Sequence, residues 1–360
     1  MIQSEKHIEF IKKTMKCRDF LYYITEQDRM ATVYWAANSL KMLKDPLFEQ
    51  IRPQVIQFVY SCLKTNGGFG PNPEYSSNVV STFNALQLLF LYNVPYYDIK
   101  TVKFLLSLQN LSGAFTFDAY GDIDTRFDCC AILSLHLLSI MKDYKHIDYS
   151  KGIAICSCTA DACDVFSLDN CAADGMEHKI CQYLSPDNRL DRRHLSEPID
   201  QSFLQDVGLD IDITLRHLVE CFNYDGGVGQ FKGSESHAAQ TFCALSSLRS
   251  LGHLEAIDKL KTVDFLMYRQ LPNGGLCGRI GKKEDVCYSF WAFSSMAILE
   301  SEYINLEKLQ EFIFSCEGDE GGFSDRPGNE PDLYHLMFSL ASLSLLGNKK
   351  LDNIDPGFAI

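Results

Sequence analysis

The chain has 360 residues, 46% of them hydrophobic, and a net charge of −14. That content supports a sizeable core, while the acidic balance, without any basic stripe, excludes a nucleic-acid-binding role. No apolar run is long enough to span a membrane, and the opening MIQSEKHIEFIKK is charged and amphipathic, unlike a signal peptide. Fourteen cysteines are too sparse for a disulfide scaffold. Cys62, Cys129, Cys130, Cys221, Cys243 and Cys316 fall within helical apolar patterns, so the expectation is reduced thiols packed as small hydrophobes in a cytoplasmic protein.

In chain order, the first strong element is RMATVYWAANSLKML over 29–43, an almost wholly apolar helix. The turn Asn66-Gly67-Gly68-Phe69 then leads to VVSTFNALQLLFLY, and Ser112-Gly113-Ala114-Phe115 to FDCCAILSLHLLSI. Asp225-Gly226-Gly227-Val228 precedes TFCALSSLRSL, Asn273-Gly274-Gly275-Leu276 precedes YSFWAFSSMAILE, and Glu320-Gly321-Gly322-Phe323 opens the last unit. The first glycines are 46, 113, 48 and 47 residues apart. Between each apolar helix and the next turn lies an amphipathic stretch, such as AIDKLKTVDFLMYRQ, with apolar residues at i, i+3, i+4 and i+7.

A repeat of about 47 residues with one buried and one amphipathic helix predicts an all-α fold. The specific expectation is an α/α toroid of six hairpins, an inner barrel wrapped by an outer ring, as a single domain over 1–360. An open α-solenoid is the alternative. The gap of 113 marks an insertion at about 145–210. Its weak periodicity suggests a long surface excursion. Cys156, Cys158 and Cys163 lie in it, and no second CxxC accompanies them to build a metal site.

The polar residues of interest all follow a glycine turn and precede an inner helix, so a toroid gathers them at one end of the barrel. Asp285, Cys287 and His335 are three zinc-type ligands in two successive repeats, one short of a tetrahedral set. An incomplete set is how a catalytic zinc keeps a position for substrate. His237, Arg279, Lys282 and Tyr288 add donors and two fixed charges, which beside helix N-termini suit a polyanion such as diphosphate. Each has a plainer reading: His237 as a helix cap, Lys282 and Lys283 as a solvated pair, Asp325 and Asp332 as turn and N-cap residues. Trp35, Phe83, Phe127, Trp291 and Phe338 line the expected lumen, either as ordinary core or as the wall of a hydrocarbon site worth up to about 0.8 kcal/mol per buried CH₂.

With these residues in view, the chain resembles the β subunits of the protein prenyltransferases over 5–140 and 210–358. The stretches that carry this are RMATVYW (29–35), GDIDTRF (121–127), GSESH (233–237), RQLPNGGL (269–276), DVCYSFW (285–291) and GGFSDRPG (321–328). Among the family, it looks closest to the Rab (type II) geranylgeranyltransferase β subunit. The resemblance implies one Zn²⁺ per β subunit at Asp285, Cys287 and His335, and an isoprenoid diphosphate held by His237, Arg279, Lys282 and Tyr288. It implies a lipid pocket at Trp35, Phe83, Arg126, Ala239, Cys243 and Trp291. A small Ala31, where farnesyltransferases carry Trp, leaves room for the C20 chain of geranylgeranyl diphosphate. Asp325, where type I enzymes resemble one another in carrying Lys, keeps a carboxylate for Mg²⁺. Tyr334 looks more like the farnesyl enzymes, and Cys129 stands where an aromatic is usual.

The implied function is transfer of geranylgeranyl to C-terminal cysteines of Rab GTPases presented with an escort protein. The implied partner is an α subunit that supplies a further lysine, so that the chain alone is inactive. A farnesyl or type I geranylgeranyl subunit acting on CaaX proteins is the alternative within the family. Outside it stand a terpene cyclase, for which Asp210-Ile211-Asp212 and only two Trp are a poor fit, and a non-catalytic zinc-bound scaffold.

Overall fold

The structure, a computed structural model, describes residues 2–144, 190–301 and 303–360. Among the described residues, twelve principal helices alternate between an outer and an inner layer. The outer set is α1 (Ser4–Lys16), α3 (Arg52–Ser61), α5 (Ile99–Ser107), α7 (Ile211–Glu220), α9 (Lys259–Met267) and α11 (Leu306–Ser315). The inner set is α2 (Arg29–Met42), α4 (Val79–Leu91), α6 (Thr125–Met141), α8 (Ala238–Leu251), α10 (Cys287–Ile298) and α12 (Leu333–Leu345). Each inner helix packs on the next, and α12 packs back on α2, so the barrel closes and the open solenoid is excluded. Among the described residues, only isolated bridges such as Leu63 to Phe69 interrupt the helical architecture.

The layers follow from composition. Inner helices present buried side chains on nearly every face, as α4 does from Val79 through Leu91, whereas outer helices such as α11 bury only Leu309, Phe312 and Ile313. The glycine turns set the spacing between repeats. At Gly274, φ is +89° and an added Cβ would stand 2.2 Å from the Lys308 carbonyl oxygen, on the outer helix of the next unit. Gly321 makes the same approach to α1, its Cβ position 2.3 Å from the Lys6 carbonyl oxygen. Thus the last turn docks on the first helix, which completes the ring. The inner helix that follows α1 is the one whose lead-in has no glycine turn.

In the second glycine unit the pattern changes in a matched way. Elsewhere a phenylalanine of the next outer helix, such as Phe104 or Phe265, presses on the second glycine, and Thr82 or Thr241 accepts the backbone N–H two residues after the first. Here Ala114 replaces the glycine, His217 the phenylalanine, and Asp128 the threonine. Asp128 accepts from Phe115 N at 2.7 Å and meets His217 Nε2 at 3.0 Å in a buried ion pair.

Residues 145–189 of the expected insertion, with Cys156, Cys158 and Cys163, lie outside the described residues. The remainder departs from the expectation of a surface excursion. Leu195, Ile199, Phe203 and Leu204 are buried, Ile199 N donates to Ser250 O at 2.8 Å, and a short helix spans Gln201–Val207. This stretch covers the barrel end where the inner helices finish, because apolar side chains at every third or fourth position give it a core-facing side. Asp210 caps α7 by accepting from Ile213 N at 3.1 Å, a structural job that accounts for the Asp210-Ile211-Asp212 pattern.

Candidate active site

The inner helices all begin at one barrel end, and capping fixes that end. Asn78, Asp124, His237 and Asp332 each accept a backbone N–H of the helix they precede. Below this rim lies a cavity of about 750 Å³, apolar along its walls. Trp291 sits 4.9 Å from Phe242 and 4.3 Å from Phe338, ring centre to ring centre, and Trp35 is edge-on to Tyr334 at 5.2 Å. The expected pocket residues Ala31, Trp35, Phe83, Arg126, Ala239, Cys243 and Trp291 all line it.

At the rim, Asp285, Cys287 and His335 come together, with one potential ligand atom from each lying within 4.8 Å of the others. Asp285 precedes α10, and its Oδ1 accepts from Cys287 N at 2.9 Å, which places Cys287 as the first residue of that helix. His335 is the third residue of α12. Asp332 caps that helix through His335 N at 2.8 Å and also holds His335 Nδ1 at 2.6 Å, leaving Nε2 to face Asp285 Oδ1 at 3.5 Å.

The charges at this rim are tuned by burial and by one another. Burial raises the Asp285 carboxyl, but hydrogen bonds from His335 and Cys287 outweigh it and hold the group below its ordinary value. Burial lowers His335, while Asp285 and Asp332 overcome it and bring the imidazole up to about 9. Burial and the Asp285 charge push the Cys287 thiol well up. A cation among the three reverses that last balance, since a coordinated thiol is held deprotonated. Carboxylate, thiolate and imidazole are a zinc donor set, and the Asp332–His335 contact supplies the orienting carboxylate that metal-bound histidines carry. The residues present therefore fit zinc.

Next to this trio, Tyr288 OH lies 3.2 Å from His237 Nε2. Because His237 Nδ1 accepts from Ala239 N at 3.2 Å, a neutral ring carries its proton on Nε2 and donates to the phenol oxygen. The Tyr288 O–H is then free to donate into the cavity. Burial and the Arg279 charge lower His237 to about 4, so the ring is neutral at physiological pH. Arg279 pairs with Glu235 Oε2 at 2.8 Å, and both line the cavity mouth. Lys282 is exposed on the turn that starts at Arg279 and lies outside the cavity lining. Asp325 is not gathered with the three ligands: Arg326 at 2.7 Å and Asn329 at 2.7 Å hold its carboxylate.

Glu235 carries a role at the site that residue type alone did not single out, and Asp332, expected as an N-cap, has the further job of holding the His335 ring. Asp332 had a legible signal, since an Asp three residues before a ligating His on a helix is both N-cap and ring partner. Arg126, expected as a pocket residue, is clamped by Asp124 at 2.8 Å, which Gln230 also binds at 3.1 Å.

A family model for the prenyltransferase alpha-alpha toroid domain matches residues 2–166 and 186–360. The chain belongs to the prenyltransferase alpha-alpha toroid family. Two curated relatives place this prenyltransferase among the enzymes that act on proteins. A Saccharomyces cerevisiae protein named geranylgeranyl transferase type-2 subunit beta is 32% identical over 365 residues, covering 98% of this chain and 92% of the relative. Its Candida albicans counterpart of the same name is 31% identical over 337 residues, covering 88% of this chain and 80% of the relative. In fold, the chain matches the structure titled Candida albicans protein geranylgeranyltransferase-I complexed with GGPP with a TM-score of 0.74 at 20% identity, over 100% of this chain and 96% of that one. The toroid expected from the glycine repeat is the observed fold. Among the described residues no helix is long and apolar enough to cross a membrane.

Proposed function

We propose that this prenyltransferase is the catalytic β subunit of a zinc-dependent protein geranylgeranyltransferase, moving a C20 isoprenoid from geranylgeranyl diphosphate to C-terminal cysteines of Rab GTPases presented with an escort protein. The observation that carries the reading is that Cys287, grouped with Asp285 and His335, lines the same aromatic-walled cavity as Tyr288, His237 and Arg279. The relatives' names support the type II assignment, and Ala31 in the cavity wall supports a C20 chain rather than a shorter one. The reading also places the enzyme in the cytoplasm, paired with an α subunit.

Asp285, Cys287 and His335 would hold zinc, which when bound would supply a Lewis acid that favours the thiolate form of an acceptor cysteine. The residues of this chain do the rest. The aromatic walls exclude water and align the isoprenoid with its C1 at the rim. Arg279 exchanges Glu235 for a diphosphate oxygen, and Tyr288, relieved of its own acceptor role by His237, donates a hydrogen bond to it. As the C–S bond forms and the C1–O bond breaks, negative charge grows on the departing diphosphate, where donors already in place stabilise most. Lys282, on the exposed turn beside Arg279, would meet the outer oxygens of the diphosphate, and Asp325 would hold an accompanying Mg²⁺ only by exchanging its Arg326 and Asn329 partners for the ion.

The test is a transfer assay on the α/β complex, with labelled geranylgeranyl or farnesyl diphosphate and two acceptors, a Rab–escort complex and a CaaX peptide. The reading expects geranylgeranyl on the Rab. Transfer of farnesyl, or transfer only to the CaaX peptide, replaces it with the alternative within the family, and no transfer to either acceptor overturns it.

A further inference from the structure

The cavity has a floor made from the chain's own segment 355–360. Gly357, Phe358 and Ala359 line it, and Phe358, Ala359 and Ile360 are 3%, 5% and 2% exposed. The inner helices fix the depth. Gln87 lies two turns below Val80 on α4, about 10 Å farther from the rim at 1.5 Å per residue. At this depth Gln87 and Tyr34 add buried polar groups to the lining.

Those polar groups are there for the segment. Gln87 Nε2 donates to Phe358 O at 3.0 Å and to Tyr34 OH at 3.0 Å. Asn38 Nδ2 donates to Ala359 O at 2.6 Å. Arg249 grips Asp355 through two bonds of 2.8 and 2.7 Å, and Phe358 stands edge-on to His136 at 5.2 Å. Two amides and a phenol buried here, Gln87 and Tyr34 in the cavity lining and Asn38 outside it, are costly unless paired, and it is the segment's carbonyls that accept from the amide N–H₂ groups. Ala359 holds a left-handed φ of +58°, a conformation that a non-glycine residue keeps only when its surroundings over-determine it.

We propose that segment 355–360 is a clamped stop that sets the maximum length of the isoprenoid, with Phe358 as the side chain that meets its far end. Ala31 bears on chain length from the cavity wall, and Phe358 bears on it from the floor. This rests on the reading of the cavity as an isoprenoid site. The polar clamp of Tyr34, Asn38, Gln87 and Arg249 is a positioning device: it prevents the stop from yielding to a longer chain, so length is discriminated by a rigid surface rather than by a tail that can be pushed aside.

Two measurements test it on the α/β complex. In the first, kcat/KM is compared for C15, C20 and C25 prenyl diphosphates in wild type, Phe358→Ala and Phe358→Trp. One methylene in a shaped apolar pocket is worth at least about tenfold in discrimination. Phe358→Ala is therefore expected to raise the C25-to-C20 ratio by at least about tenfold, and Phe358→Trp to lower the C20-to-C15 ratio by as much. Folded, active variants whose ratios match wild type overturn the proposal.

The second needs no variant, and so holds if the substitutions do not fold. A C20 diphosphate with a diazirine on its terminal carbon is photolysed in the wild-type complex. Label on the tryptic peptide that begins at Leu351 supports the stop, and label confined to other peptides overturns it. Failure of the cavity reading is distinguishable, because wild type then shows neither transfer nor any labelling that unlabelled geranylgeranyl diphosphate competes away.

Discussion

Asp332 performs two jobs with two oxygens, and separating them tests how the metal site is built. Oδ1 caps α12 through His335 N at 2.8 Å, and Oδ2 holds His335 Nδ1 at 2.6 Å. Asp332→Asn has one acceptor oxygen. If it keeps the cap, its amide N–H₂ faces Nδ1, which must then accept, and the ring proton moves to Nε2, the nitrogen that faces Asp285. The cap survives, because Asn caps as well as Asp, but the ligand nitrogen is blocked. Loss of an orienting partner of this kind costs about 10–100-fold in metal affinity, roughly 1.4–2.7 kcal/mol. Asp332→Ala loses the cap as well, an additional cost of about 1 kcal/mol to the metal-free protein. The assay is competition for zinc against a chelating indicator, paired with thermal unfolding of the metal-free complex. Asn is expected to keep the cap and so unfold later than Asp332→Ala, yet bind zinc at least about tenfold more weakly than wild type. Wild-type zinc affinity in the Asn variant refutes the reasoning.

Three further expectations follow. Gly321→Ala drives a Cβ to within 2.3 Å of the Lys6 carbonyl where α1 closes the ring, so it should destabilise by more than about 3 kcal/mol, beyond the usual range for single substitutions, whereas Gly328→Ala, with nothing within 4 Å of its Cβ position, should cost only about 1–2 kcal/mol for its left-handed backbone, both read by denaturant unfolding. Tyr288→Phe removes a donor aimed at the leaving group and should lower kcat by about 100-fold at unchanged melting temperature. The buried pair of Asp128 and His217 gives a pH signature: burial lowers the imidazole, yet the Asp128 carboxylate overcomes it and brings His217 up to about 10. Its contribution is therefore complete below the unfolded value of about 6.5 and is lost as pH rises through about 10. The triple change Asp128→Thr, His217→Phe and Ala114→Gly copies the neighbouring repeats and should fold without that alkaline loss, whereas Asp128→Ala alone leaves His217 neutral without its carboxylate and the Phe115 N–H without its acceptor, at a cost of about 1–3 kcal/mol for each buried group left unsatisfied.

The repeat made the architecture legible, because each glycine turn marks where an outer helix ends and an inner one begins. It also located the site, since residues that follow equivalent turns must share a barrel end. Two parts were not readable. The segment 355–360 is short and has no periodicity, and its place in the lumen depends on partners such as Asn38, more than 300 residues away in sequence. Gln87 and Tyr34 likewise look like stray polar residues on apolar helices until the segment's carbonyls supply their purpose. The stretch from 190 to 207 was expected on the surface because its neighbours lack pattern, and tertiary packing of Leu195, Ile199 and Phe203 decided otherwise. Asp325 and Lys282 show the limit of motif spacing, which brought them near the rim without bringing their side chains into the ligand group or the cavity wall.

The central claim is that Asp285, Cys287 and His335 hold the metal on which prenyl transfer depends. Its most direct test is transfer of labelled geranylgeranyl to a Rab–escort complex by the α/β enzyme, stripped of metal by a chelator and then resupplied with zinc, in wild type and in Cys287→Ala. The account predicts loss on stripping, recovery with zinc in wild type, and no recovery in Cys287→Ala. Full transfer by the stripped enzyme, or by Cys287→Ala, contradicts it.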